Sequence, residues 1–174
     1  MPIMLTDHLL ADAPEPHGGL GDWRPTTPVT ARLVPGGAFW AGRGWPEAYI
    51  VAATSEAPDE HIERASAEHV SASSWRLLTA PLVFAGPGAG AHALPPWEED
   101  GETSRRLALL FPPFNAADNA DEVFYYDADL LLRCMDCSPD VCRRPPGAHH
   151  EDDPVAFDGF VFPTRRPARC LWVR

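Results

Sequence analysis

The sequence contains no lysine, and all 14 of its basic residues are arginines. They are outnumbered by 25 acidic residues, which leaves a formal net charge of −11. Nucleic-acid binding depends on neutralising phosphates with Lys and Arg, so this balance argues against it. The missing lysine has two interpretations: the codon usage of a GC-rich genome, or avoidance of ubiquitin and other modifications directed at lysine. A viral or mobile-element protein that works inside a host fits either interpretation.

The chain also lacks a long apolar run. A membrane-spanning helix needs about 20 consecutive apolar residues, and no such stretch is present. The first residues, Met1 to Asp7, contain neither the basic region nor the long apolar region of a secretory signal peptide. We therefore predict an intracellular protein of the cytoplasm or nucleus that does not bind membranes.

Proline and glycine are abundant, with 20 and 13 residues in a chain of 174. They separate short segments with the alternating apolar pattern of β-strands. Such segments are 29–34, 38–41, 47–54, 75–79, 82–85, 105–111, 157–162 and 170–173. Residues 122–133 indicate a hairpin with its turn at Asp127–Asp129, and one helix is predicted over 58–71. The fold class we expect is mostly β (or α+β), a compact antiparallel sandwich or barrel of about eight short strands with one or two helices.

The first 28 residues differ in composition from the rest. Their prolines and glycines predict a poorly ordered, proline-rich N-terminal arm over 1–28, with a helical turn or two near Leu9 and Leu10. Residues 29–174 then form a single β-rich domain, which includes a Cys-rich loop at 134–150.

Four cysteines lie in the C-terminal part of the chain. Cys134 and Cys137 have the spacing at which two thiolates can reach one tetrahedral zinc ion. The remaining ligands of a structural zinc site would come from Cys142, His149, His150 and Cys170. Two other interpretations stay open: plain reduced cysteines, some of them buried, or disulfide or redox pairs, which an unexported protein would rarely keep.

No common catalytic motif is present, neither a GxSxG, HExxH, Walker nor GxGxxG sequence. The densest titratable group is the run from His149 to Asp153. It is either a hydrated acidic loop or the site of a small hydrolase or transferase, in which Asp127 or Asp129 would accompany His149 or His150. Nothing in the spacing requires the enzymatic interpretation.

Six tryptophans are many for this length, and three of them stand outside strand-like segments: Trp23, Trp45 and Trp97. Tryptophan is favoured at protein interfaces, although a loop tryptophan can equally pack on its own domain. The best linear candidate is the segment Leu94–Asp100, because a proline pair precedes Trp97 and the acidic residues.

The leading hypothesis is a non-enzymatic protein-binding module, suited to modulating or inhibiting a host protein. Its partner would have a basic surface, which an acidic protein attracts electrostatically. The predicted contact residues are Trp97, Glu98, Glu99, Asp100, Trp45 and Trp23. The hydrolase or transferase is one alternative, and a structural subunit of a larger assembly is another.

Overall fold

The computed structural model describes residues 6–23, 29–34, 36, 49–53, 80, 82, 90–110, 121–137 and 146–170. Most of these residues lie in antiparallel strands, so the predicted mostly β fold is confirmed. The largest sheet has six strands and is not closed into a barrel. The predicted helix over 58–71 and the strands over 38–41 and 75–79 lie outside the described residues.

The N-terminal part contains α1 (Thr6–Asp12), a 3-10 helix (Glu15–His17) and α2 (Leu20–Trp23). Ten strands follow in the described residues: β1 (Val29–Leu33), β2 (Tyr49–Ala53), β3 (Gly90–Glu99), β4 (Glu102–Leu110), β5 (Asp121–Tyr126), β6 (Leu132–Cys137), β7 (Gly147–His150), β8 (Asp152–Phe157), β9 (Phe160–Arg165) and β10 (Ala168–Cys170). None of the described helices is long and apolar enough to cross a membrane.

The six-stranded sheet has the order β10-β7-β6-β5-β4-β3, and every neighbouring pair is antiparallel. β1 pairs with β2, and β8 with β9, in two separate two-stranded sheets. Hence β3 and β10 are the edges of the large sheet.

The β5–β6 hairpin turns where the sequence predicts, because Asp127 organises the turn. Its carboxylate accepts hydrogen bonds from the backbone N–H groups of Asp129 and Leu131, at 3.0 and 2.9 Å. The same carboxylate meets Arg133 Nε at 2.6 Å. Asp127 is therefore engaged in turn formation, a common role for a short acidic side chain.

Residues 157–162 form a hairpin tip and not the single strand that their apolar content predicts. Asp158 and Gly159 have φ angles of 48° and 87°, and they reverse the chain between β8 and β9. Two successive positive φ angles are the mark of a type I′ turn, for which Asp-Gly is a preferred pair.

The main hydrophobic cluster covers one face of the large sheet. Side chains from β4, β5 and β6 alternate onto this face, and α1 packs over them. The fully buried members include Leu9, Ala13, Leu107, Leu109, Phe124, Tyr126, Leu132 and Met135. Burying a side chain of the Leu or Phe type stabilises the fold by about 1.5–3 kcal/mol.

A second cluster joins α2 to the β8–β9 hairpin. Trp23 meets Phe160 edge-to-face, with ring centroids 5.4 Å apart, and lies 6.4 Å from Phe162. Leu82 is buried in the same cluster. Apolar side chains within residues 6–23 therefore meet both clusters, and the extent of the arm over 1–28 stays a prediction.

Candidate functional site

An exposed acidic feature of the described residues is the turn that joins β3 to β4. Asp100 and Gly101 have φ angles of 52° and 83°, so the two strands reverse tightly, and Glu99 pairs with Glu102 across the turn. Residues 98–102, the acidic hairpin tip, are all exposed. Its four carboxylates are Glu98, Glu99, Asp100 and Glu102. An open depression of about 260 Å³ is lined by Glu98, Glu99, Asp100, Gly101 and Thr103.

Trp97 lies at the base of this tip, in β3 and not in the loop that the sequence predicts. Its side chain is 46 % exposed, yet it is held by two neighbours. The indole Nε1 donates a hydrogen bond to Glu99 Oε2 at 3.4 Å, and the Arg106 guanidinium lies over the ring, 5.4 Å from its centroid. Arg106 is itself fixed, since its Nε donates to the carbonyl of Pro95 at 2.8 Å.

A row of contacts continues from Arg106 across the sheet, on the face opposite the main cluster. Arg106 lies 5.9 Å from the Tyr125 ring centroid, and the Tyr125 hydroxyl donates to Asp136 Oδ2 at 2.5 Å. Burial, and then the nearby Asp136, raise the pKa of Tyr125 to about 12, so this hydroxyl remains a donor. The row of Trp97, Arg106, Tyr125 and Asp136 thus spans four adjacent strands and orders the base of the tip.

Two of the predicted partner contacts stand apart from this surface. Trp23 is only 5 % exposed, because its ring packs against Phe160 and Phe162, and its role as a partner contact stays a prediction. Trp45 lies outside the described residues.

The predicted zinc ligands are distributed along neighbouring strands. Cys134 pairs with His150 and Met135 with His149, while Gly147 pairs with Cys137 on one side and Cys170 on the other. Cys134 and Cys137 occupy positions three apart in β6.

Within the described part of the chain, no group of three or more His, Cys, Asp or Glu residues is arranged to hold a metal ion. Cys142 lies outside that part, so a structural zinc ion stays a prediction. Burial, followed by nearby carboxylates such as Asp136, raises the pKa of the Cys134 thiol to about 12. This environment keeps the thiol protonated, the opposite of what an activated nucleophile needs.

A buried ion pair lies where the sequence predicts an acidic loop. Glu151 is 1 % exposed, and its Oε2 lies 3.3 Å from Arg166 Nε. Neither carboxylate oxygen has a hydrogen-bond partner among the described residues. Burial raises the pKa of Glu151 to about 8, against the opposing effect of Arg166.

The hydrolase alternative would draw on this cluster, since a carboxyl group that titrates near neutrality can act in acid–base catalysis. His149 lies close by, and burial, then Arg166, lower its pKa. The adjacent Cys134 thiol is deactivated, and Asp127 serves the β5–β6 turn.

The structure brings together Trp97, Glu98, Glu99 and Asp100 from the predicted contact set. It adds Arg106, which sequence reasoning missed because its role depends on the register between β3 and β4. No known protein family, curated protein or solved structure matches this chain.

Proposed function

We propose that this chain is a non-enzymatic module that binds a basic surface of a protein partner inside the cell. The contact would be made by the acidic hairpin tip together with Trp97. The observation that carries the proposal is a tryptophan that is 46 % exposed and yet fixed by Arg106 and Glu99. A side chain ordered before binding loses little conformational freedom on binding, and tryptophan is among the commonest interface hot spots.

The charge of the tip selects a cationic partner. Glu98, Glu99, Asp100 and Glu102 lie within one short turn, and the whole chain carries a formal charge of −11. Such a field attracts a basic surface over distance and raises the association rate. An Arg or Lys side chain that reaches the exposed part of the indole gains a further cation–π contribution of about 0.5–2 kcal/mol.

The proposal is tested by titrating the capped peptide RSRSRSRS into the full chain by isothermal titration calorimetry. The triple variant Trp97→Ala, Glu98→Gln, Glu99→Gln should bind about tenfold more weakly or worse, which corresponds to a loss of about 1.4 kcal/mol. Raising the salt concentration should weaken binding to the wild type, because exposed charges are screened.

The matched control is the triple variant Phe157→Ala, Asp12→Asn, Glu15→Gln. It also removes one exposed aromatic ring and two exposed carboxylates, but away from the tip, so it should keep the wild-type affinity. Circular dichroism should show both variants folded. Equal affinities of the two variants for the peptide would contradict the proposal.

A further inference from the structure

We infer that the free edge of β3 accepts an extended basic segment of the partner, which joins the large sheet as a further strand over 90–94. This inference rests on the proposed function, because it specifies the form in which the basic partner is bound.

Among the described residues, β3 is an edge strand of the large sheet. It ends the strand order of the large sheet, and in the described part of the chain it pairs with β4 alone. Every residue of β3 is exposed or half-exposed. The unpaired N–H and C=O groups along such an edge can form a ladder with another chain.

The two halves of β3 differ in how readily another strand can pair with them. The register shifts between Leu94 and Trp97, where Pro95 and Pro96 follow one another. Proline has no N–H to donate, and prolines, bulges and charges are the usual means of blocking an edge. Gly90 to Leu94, by contrast, pairs regularly with β4 and contains neither proline nor carboxylate.

The other edge strand of the sheet is short in the described part of the chain. There β10 comprises three residues, Ala168–Cys170, and very short edge strands offer few pairing groups to a partner strand. The five residues 90–94 are thus the part of the described sheet edge best able to take up another strand.

Charge identifies the occupant of this edge. Residues 90–94 of β3 are followed by Trp97 and then by the acidic hairpin tip. A strand that pairs with this edge therefore has one end beside the carboxylates of the tip. Every pair in the large sheet is antiparallel, and antiparallel pairing is the more stable per residue. The N-terminal end of the added strand therefore lies nearest the tip, and its basic residues should precede its β-forming residues.

A second copy of this chain is a poorer occupant. Each copy carries a formal charge of −11, and net charge of one sign opposes self-association. The basic segment instead brings opposite charge to the tip.

The experiment uses the full chain and the capped peptide RRRGTVTVT, which places arginines before a strand-forming run. Two further versions carry backbone N-methyl groups, one at the valines and the other at the threonines. Successive N–H groups of a strand point to opposite sides, so only one version blocks pairing with β3. We expect calorimetry to give a loss of about tenfold or more for one version and little loss for the other.

The reversed peptide TVTVTGRRR has the same composition and should bind about tenfold more weakly, because its arginines would lie at the far end of β3. Amide hydrogen exchange should slow at alternate residues over 90–94 when RRRGTVTVT binds, and not when RSRSRSRS binds.

Equal affinities of the parent and both methylated peptides would overturn strand addition while leaving recognition by the acidic tip intact. Strand addition would also be overturned if RRRGTVTVT bound no more tightly than RSRSRSRS. Failure of both peptides to bind would overturn the proposed function too. A dimer that sedimentation detects, and whose formation slows amide exchange over 90–94, would overturn the inference by assigning the β3 edge to a second copy.

Discussion

His17 is a buried histidine whose neutral form is part of the fold. It is 3 % exposed, and its Nε2 accepts a hydrogen bond from the backbone N–H of Leu132 at 3.2 Å. Burial lowers its pKa to about 4, although the nearby Asp127 acts in the opposite direction. Protonation would convert the acceptor nitrogen into a donor and break the link between the 3-10 helix and β6.

This environment predicts that the contribution of His17 to stability is lost in mild acid. The unfolded chain binds a proton at His17 near pH 6.5, whereas the folded chain does so only near pH 4. The contribution of neutral His17 is therefore complete above pH 6.5 and declines as the pH falls toward 4, by up to about 3 kcal/mol. Urea unfolding of the wild type and of a His17 variant between pH 7 and 4.5 measures this contribution as a difference in the free energy of unfolding.

The variant His17→Asn should be less stable than the wild type at pH 7 but should lose less stability on acidification. His8→Asn is the control, since His8 is exposed, and it should keep the wild-type pH dependence. Other groups contribute in this range, including the buried Glu151, but their effects are common to all three proteins. The same slope in His17→Asn and in the wild type would contradict the prediction.

Two tryptophans show why the exposure of a side chain at the site does not follow from the local sequence. Trp23 and Trp97 stand in similar local contexts, beside acidic residues and close to Gly or Pro, yet one is 5 % and the other 46 % exposed. The difference arises from partners distant in sequence, Phe160 for Trp23 and Arg106 for Trp97. Neither contact can be inferred from the local sequence. The sequence therefore predicts which residue types form the surface but not which of these side chains face solvent.

Among the elements, strands with an alternating apolar pattern are predicted well and the proline-containing β3 is predicted poorly. The expected strands over 29–34 and 47–54 correspond to β1 and β2. The proline pair at 95–96 indicates a loop, but an edge strand tolerates it because one side of β3 needs no ladder bonds. The type I′ signal Asp158-Gly159 is present in the sequence and would have separated β8 from β9.

The contact between the 3-10 helix and the β8–β9 turn depends on Gly18. Its φ angle is 109°, and a Cβ built there would lie 2.6 Å from both the Gly159 carbonyl oxygen and Phe160 Cδ1. Gly18→Ala therefore combines a strained backbone angle with a steric clash against main chain. We expect it to destabilise the fold by about 2–4 kcal/mol, as measured by urea unfolding.

Gly21→Ala is the matched control for that substitution. Gly21 lies in α2, and a Cβ there would meet nothing within 4 Å. Alanine favours helix more than glycine by about 1 kcal/mol, so this variant should be as stable as the wild type or slightly more stable. A comparable loss in both variants would show that the close approach at Gly18 does not matter.

In the whole molecule, residues 6–23 connect the two hydrophobic clusters. Leu9 and Ala13 of α1 belong to the cluster on the large sheet, and Trp23 of α2 belongs to the cluster on the β8–β9 hairpin. The opposite face of the large sheet carries the row from Trp97 to Asp136. Packing and the proposed recognition surface thus occupy different sides of the same sheet.

This separation predicts that stability and binding depend on different tryptophans. Trp23→Ala empties a buried site against Phe160 and Phe162 and should destabilise the fold by about 3–5 kcal/mol. Trp97→Ala removes an exposed ring and one cation–π contact, so it should lower stability by no more than about 1 kcal/mol. Urea unfolding of the two single variants measures both values.

Affinity should change in the opposite order. With each variant kept below its unfolding transition, calorimetry should find RSRSRSRS binding to Trp23→Ala as it does to the wild type, and binding weakened in Trp97→Ala. A folded Trp23→Ala protein that had lost affinity would mean that the cluster around Trp23 and the recognition surface are coupled. A stability loss in Trp97→Ala as large as that in Trp23→Ala would contradict the prediction. It would show that Trp97 contributes mainly to folding, whereas the proposal requires a ring that contributes mainly to binding.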